Sequence, residues 1–245
     1  MSEIVFVGTS DAFGAGGRRQ SAILVRGANG GMLLDCGATT GSGLNALDIS
    51  RNEIDSIVLS HFHGDHFGGI PLLLLAALYE DSRRAPLRIA GPPGVEARLR
   101  ALAAAMGYPM DEHDWSFPIH FEELPAGREL ELGPVRVSSF ETRHSPSSVP
   151  HGLIVAIGAR RLAYSGDTGW FDDLPDRVAG SDLFVCECTY RKNNFEYHLN
   201  YDTLVSQRDR FDCGRILLTH LGDEMTDRRG QCSFETADDG LSVRL

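Results

Sequence analysis

Lysine is almost missing from this chain: Lys192 is the only one in 245 residues, and arginine supplies the rest of the 23 basic side chains. Acidic residues number 34, and the formal net charge is −11. A surface that holds polyanions over a wide area needs the opposite balance, so broad nucleic-acid binding is disfavoured, while a single phosphate gripped locally is not. Cysteine is scarce and shows no pairing pattern. Cys36, Cys186, Cys188, Cys213 and Cys232 are odd in number and contain no Cys-x-x-Cys motif, which argues against a disulfide framework and against a separate zinc knuckle. Cys186 and Cys188 lie two apart in an apolar run and are expected to fill core space as small hydrophobes. Long hydrophobic runs are absent. The longest, Ile70–Leu78, ends at Glu80, Asp81, Arg83 and Arg84 and falls well short of the roughly 20 residues a bilayer span needs. Met1-Ser2-Glu3 leads straight into strand-like sequence without a leader pattern, so a cytoplasmic location is expected. No low-complexity segment or Pro/Ser linker marks a boundary, and length alone allows one or two domains.

What the chain does have is concentrated in residues 57–70. An apolar run, Ile57-Val58-Leu59, leads into His61, His63, Asp65 and His66, four ligand-type side chains within six residues. In extended backbone, residues two apart share a side, so His61 and His63 can grip one ion together. Gly64 is expected to let the chain turn sharply and send Asp65 and His66 toward a neighbouring position, an arrangement for two adjacent metals. The glycine-rich stretch Gly8–Gly17 has neither the lysine nor the following helix pattern of a phosphate-binding loop and reads as a tight connection.

Around this motif the pattern alternates between strands and helices. Short strands are expected at Ile4–Val7, Ser21–Arg26, Met32–Leu34, Ile57–Ser60, Leu87–Ala90, Leu162–Tyr164, Leu183–Cys188 and Ile216–Leu218. Helices are expected at Thr39–Leu47, Ile70–Tyr79, from Gly94 through Met106, Phe171–Val178 and Asp202–Phe211. The region from Ile119 to Ile157, broken at Gly127, Gly133 and Pro150, reads as antiparallel strands. Asp35 ends the third strand, where a carboxylate can accept the second ring N–H of a ligand histidine.

The His-x-His-x-Asp-His pattern resembles the signature of the metallo-β-lactamase-fold hydrolases. That resemblance implies an α/β fold, a four-layer αβ/βα sandwich of two mixed sheets with outer helices, formed as one hydrolase domain over residues 1–245. It places His61, His63 and His144 on a first metal and Asp65, His66 and His220 on a second, with Asp167 bridging the two. Each downstream residue follows an apolar strand-like run. Five imidazoles and two carboxylates suit two divalent ions, zinc foremost, with manganese or iron as alternatives. Zinc β-lactamases of the best-known type carry cysteine at the position of Asp167, and flavodiiron reductases carry glutamate at that of His63, so neither activity is expected.

The segment Cys186-Glu187-Cys188-Thr189-Tyr190, followed by Tyr197-His198, resembles the RNase Z and cyclic-phosphodiesterase branch. There a strand-end glutamate orients a histidine that meets a substrate phosphate. Glu187 would orient His198, and His198 would serve as phosphate contact or general acid; with Asp65 they form the expected catalytic set. RNase Z carries a long basic arm for transfer RNA, whereas the stretch between Gly94 and Phe121 here is short and alanine-rich. The expected activity is therefore hydrolysis of a small or cyclic phosphodiester through a metal-bridging hydroxide. The alternatives are a carboxylic ester, lactone or thioester hydrolase on the same site, or an RNase Z-type endonuclease for transfer-RNA 3′ processing. Relatives in this branch are often homodimers. His113 and His120 read as structural or exposed. The pairs Arg18-Arg19 and Arg228-Arg229 read most simply as solvated loop; the family resemblance offers Arg18 and Arg19 as alternative substrate contacts, and His151 is a candidate for lining the pocket.

Overall fold

The computed structural model describes residues 2–27, 30–227 and 229–245, without the Arg229 side chain, so the expectation for the Arg228-Arg229 pair lies outside the described residues. The first part of the chain forms β1 (Glu3–Gly8), β2 (Ala22–Gly27), β3 (Gly30–Leu34), α1 (Thr40–Ala46), β4 (Ile54–Val58), α2 (Gly64–Phe67), α3 (Ile70–Tyr79), β5 (Leu87–Gly91), α4 (Val95–Ala105) and β6 (Ile119–Glu123). The second forms β7 (Glu129–Leu132), β8 (Val135–Glu141), β9 (His151–Ile157), β10 (Arg160–Tyr164), α5 (Leu174–Val178), β11 (Leu183–Glu187), α6 (Tyr201–Ser206), β12 (Ile216–Thr219), α7 (Asp223–Thr226), β13 (Glu235–Thr236) and β14 (Ser242–Arg244).

Two seven-stranded mixed sheets result, in the orders β14-β1-β2-β3-β4-β5-β6 and β13-β12-β11-β10-β9-β8-β7. In each, one stretch is antiparallel (β14 through β3; β7 through β10) and the other is parallel (β3 through β6; β10 through β13). The last strand crosses back to pair with β1, tying the C-terminal segment into the first sheet.

Alternation along the strands builds three apolar layers. Ile4, Phe6, Ile23, Val58, Val137, Val155, Leu162 and Val185 meet between the sheets. Their neighbours Val5, Val7, Leu24 and Ile57 face outward and are covered by Leu44 of α1, Leu73 of α3 and Leu99 of α4. On the other side Ala163, Phe184, Cys186 and Leu218 pack under Leu174 and Leu204. Strands buried on both faces explain why their sequences read as continuous apolar runs. Cys186 and Cys188 fill this outer core as expected, and burial pushes the Cys36 thiol up to about 12.

Several boundaries differ from expectation for identifiable reasons. The strand feeding the motif stops at Val58, because the Ser60 N–H leaves the ladder for the Asp35 carboxylate at 2.7 Å. β6 pairs parallel with β5, since α4 acts as a crossover between them, and only β7–β9 form the antiparallel run expected for the whole 119–157 region. The helix expected from Phe171 starts at Leu174, with Pro175 in its first turn. The helix expected over Asp202–Phe211 stops at Ser206 and continues as a 3-10 turn, Arg208–Arg210. No helix among the described residues is long and apolar enough to cross a membrane.

Candidate metal centre

The ligand-type side chains leave from one edge of the sandwich, just beyond the C-terminal ends of strands: Asp35 after β3, the His61–His66 run after β4, His144 after β8, Asp167 after β10, and His220 after β12. Glu187 is the last residue of β11. Gly64 does not supply the sharp turn anticipated. It opens the short helix α2 behind His63, its φ lies outside the left-handed region, and a Cβ there would meet nothing within 4 Å. The helix start itself redirects Asp65 and His66. Strain sits elsewhere: Asp35 and His220 adopt φ of 59° and 54°, a conformation that costs a non-glycine residue energy and is held by its surroundings.

Among the described residues two donor groups share Asp167, and a third, of Glu187, His198 and His220, adjoins the second. In the first, His63 Nδ1 lies 3.2 Å from His61 Nε2 and 2.9 Å from His144 Nε2, with Asp167 Oδ2 3.6 Å from His61. In the second, Asp65 Oδ2 lies 3.3 Å from both His66 Nε2 and His220 Nε2. Asp167 Oδ1 faces this group, at 3.2 Å from His66 and 3.4 Å from His220. One carboxylate thus presents one oxygen to each group, and all seven side chains expected at the site converge.

Four of the five imidazoles have their other nitrogen tied. The His66 Nδ1–H donates to Asp35 Oδ2 at 2.7 Å and the His144 Nδ1–H to the Tyr197 carbonyl at 2.8 Å. His61 Nδ1 meets Ser60 Oγ at 3.0 Å, and His220 Nδ1 meets Thr189 Oγ1 at 2.8 Å. Because the Ser60 hydroxyl donates to Asp35, it accepts from His61. These bonds suit an Nδ1–H tautomer and aim each Nε2 inward, where a bound cation would take its lone pair, the outer support that metal-ligating histidines carry.

Electrostatics call for cations. Asp35, Asp65, Asp167 and Glu187 are all buried, and unpaired burial of so many carboxylates is costly. His66 Nε2 and Asp167 Oδ1 are buried without a hydrogen bond although 3.2 Å apart. Burial opposes charge on His66 and His220, yet the carboxylates around them prevail and raise both. Burial and neighbouring imidazoles push His61 well down, and His63 and His144 are lowered chiefly by burial. Burial would raise Asp167, but His220, His66 and His61 hold it well below the carboxylate range. Converging lone pairs with buried negative charge fit divalent metal ions.

Beside the groups sits a carboxylate–imidazole pair. His198 Nδ1 lies 2.8 Å from Glu187 Oε1, and the His198 ring stacks on that of His220 at 13° and 5.4 Å. It also meets the His144 ring at 5.0 Å, so it touches one member of each group.

Not every candidate belongs here. Arg18 is buried and points away, with Nη2 2.7 Å from Thr226 Oγ1 and 3.3 Å from the Leu221 carbonyl, and Nη1 3.4 Å from Ala237 O. Arg19 binds Val7 O at 2.7 Å. Both staple the loop of residues 9–17 to the core. Arg18→Ala should therefore cost about 2–4 kcal/mol of stability by stranding these acceptors; chemical denaturation measures it, and a loss under ~0.5 kcal/mol would contradict the stapling role. His151 lies under the motif, its N–H donating to the Ser60 carbonyl at 3.0 Å, outside both donor groups. Sequence reasoning missed Tyr164 and Thr189. Tyr164, fully buried on β10, reaches across the sandwich to donate to Asp35 Oδ2 at 2.8 Å. A tyrosine in an apolar run, at the inward-facing period of its strand, was its only signal.

This sheet architecture with its donor edge is that of the metallo-β-lactamase fold. A metallo-β-lactamase fold protein, YhfI from Bacillus subtilis, superposes with a TM-score of 0.81 at 20% identity over 100% of both chains. A diphosphatase of the PhnP family superposes at 0.80 and 16% identity, covering 100% of this chain and 98% of that one. Ribonuclease Z of Mycobacterium bovis (strain BCG / Pasteur 1173P2) is 26% identical over 240 residues, 90% of this chain and 86% of the relative. The chain belongs to the family described as anti-Pycsar protein Apyc1, whose model matches residues 2–237.

Proposed function

We propose that this chain hydrolyses a small or cyclic phosphodiester at a dinuclear metal centre, with residues 1–245 acting as one hydrolase unit. His61, His63 and His144 would hold one divalent ion and Asp65, His66 and His220 the other, with Asp167 shared; the donor set suits zinc and also admits manganese or iron. Such ions, when bound, polarise phosphoryl oxygens and lower the pKa of a water to about 7. The remaining chemistry falls to the chain. Asp65 is kept ionised by His66 and His220 against the effect of burial, and its assigned part is to hold the attacking water in line. Glu187 receives the Nδ1–H of His198, which frees the opposite nitrogen to give a proton to the departing oxygen. Burial alone would lower this imidazole, but Glu187 raises it to about 9, which favours the acid form against the opposing pull of cations bound nearby.

The observation that carries the reading is the position of this proton donor, stacked on His220 and in edge contact with His144, where an ester oxygen spanning both groups would depart. A thioester hydrolase, whose departing thiolate is a weaker base than an alkoxide, has less need of a dedicated acid. Two features favour a small substrate over transfer RNA. The net charge is −11, and where an RNase Z-type arm would emerge α4 packs flat, with Val95, Leu99 and Ala103 buried.

A three-substrate comparison tests this: bis(p-nitrophenyl) phosphate, a small lactone, and a transfer-RNA precursor with a 3′ extension. Turnover of the diester alone is expected. Lactone turnover without diester cleavage would move the assignment to acyl chemistry, and efficient trimming of the precursor would move it to RNase Z chemistry.

A further inference from the structure

Thr189 sits between the proton donor and the second donor group, and its hydroxyl has one proton to give. Its Oγ1 lies 2.8 Å from His220 Nδ1, 3.0 Å from Glu187 Oε2 and 3.2 Å from the His220 carbonyl. With its Nε2 lone pair given to a metal ion, His220 would carry its proton on Nδ1, and the threonine oxygen would accept it. The threonine proton then goes to Glu187, a charged acceptor and the nearer one. Glu187 in turn receives the His198 Nδ1–H through its other oxygen at 2.8 Å. The chain of bonds runs from His220 through Thr189 and Glu187 to His198, and both imidazole planes hang from it nearly parallel.

Backbone contacts fix the hub as well as its ends. The Thr189 carbonyl accepts from the Gly222 N–H at 3.1 Å, and the Cys188 N–H donates to the Thr219 carbonyl at 2.9 Å, so the two strand ends are clamped on either side of His220. The second oxygen of Glu187 also takes the Thr189 N–H at 3.2 Å, and its first takes the Thr168 N–H at 2.9 Å. Glu187 is fully buried and Thr189 nearly so, leaving water no ready way to replace the hydroxyl.

We propose that Thr189 is a positioning residue for both functions of the site, holding His220 in its ligand tautomer and locking the carboxylate that aims His198. Metal retention and proton donation are coupled through this one hydroxyl. The inference rests on the assignment of His198 as the leaving-group acid, and its metal arm stands independently of that assignment.

The test uses purified, zinc-loaded protein and the variants Thr189→Val, Thr189→Ser and His198→Ala. Valine keeps the shape and deletes the hydroxyl; serine keeps the hydroxyl and deletes the methyl. Zinc retention is read by competition with a chromophoric chelator, and turnover is read on two phosphodiesters, one with a good (p-nitrophenyl) and one with a poor (alkyl) leaving group. Thr189→Val should bind zinc ~10-fold more weakly, and with zinc restored to saturation should lose more rate on the alkyl than on the p-nitrophenyl diester. Thr189→Ser should restore both. Wild-type zinc affinity in Thr189→Val, or a serine variant as defective as the valine one, would overturn the proposal. If His198→Ala shows no leaving-group-dependent loss, the acid assignment fails, and the chelator competition alone then decides whether Thr189 supports His220.

Discussion

Asp167→Asn is expected to abolish hydrolysis, by ~10³-fold or more, while leaving the fold intact. The size follows from the several kcal/mol of transition-state charge stabilisation that metal ions supply, each 1.4 kcal/mol being about a factor of ten. The asparagine fills nearly the same space but replaces one of two carboxylate oxygens with an N–H₂ donor and removes the charge. Asp167 faces the first group with Oδ2 and the second with Oδ1, so whichever way the amide turns, one group receives a donor where a cation needs an acceptor. The histidines raised by Asp167, notably His66 and His220, can release their protons when it is neutralised, which spares the metal-free fold a buried uncompensated charge. Circular dichroism of the metal-free variant should match the parent, whereas the stabilisation that saturating zinc adds to the parent, read as a shift in unfolding midpoint, should shrink sharply. Retention of the full metal-induced shift would contradict a shared role for this carboxylate.

His198→Ala is expected to lower kcat by roughly 10²–10⁴-fold with metal content unchanged, the range typical of a positioned general acid. His198 belongs to neither group that contains Asp167, but it shares a third group with Glu187 and His220, so metal content is measured beside activity. The pH dependence provides a signature. The folded imidazole is raised to about 9 by Glu187, against burial; it is protonated below that value and loses the proton as pH rises through it. The acid-dependent rate therefore falls on the alkaline side, and cations bound nearby would move that fall to lower pH by like-charge repulsion. In His198→Ala the alkaline fall should vanish. A variant that loses metal along with activity, or that keeps the parent's alkaline limb, would remove His198 from this role.

Much of the site was legible in the sequence because its members are dense and chemically unusual. Four ligand-type residues within His61–His66 have no structural explanation, and the resemblance they carry is what pointed to His144, Asp167 and His220 at later strand ends, so all seven could be named before their geometry was seen. The fold was legible from alternation of elements: short apolar runs bounded by turn residues mark strands, and Ile70–Tyr79 is an apolar run long enough for a helix, with Pro71 in its first turn. What stayed hidden depends on contacts between distant segments. Tyr164 meets Asp35 across 129 positions and Thr189 meets His220 across 31, and neither residue carries a local signal of partnership. The direction of β6 was misread because pattern reports a strand without its partner, and the Gly64 turn was misread because a glycine beside a motif serves equally well as a plain helix start. Arg18 and Arg19 read most simply as solvated loop, with substrate contact as the alternative the resemblance offered, yet both turn inward to satisfy carbonyls of the core.

The most direct measurement is a zinc titration of metal-free protein that follows bound metal and bis(p-nitrophenyl) phosphate turnover together. The account predicts that turnover remains low while the first equivalent binds and rises as the second fills, reaching its maximum at about two ions per chain. Full activity at a single equivalent would contradict a dinuclear mechanism, and an inert protein carrying both ions would contradict the phosphodiesterase assignment.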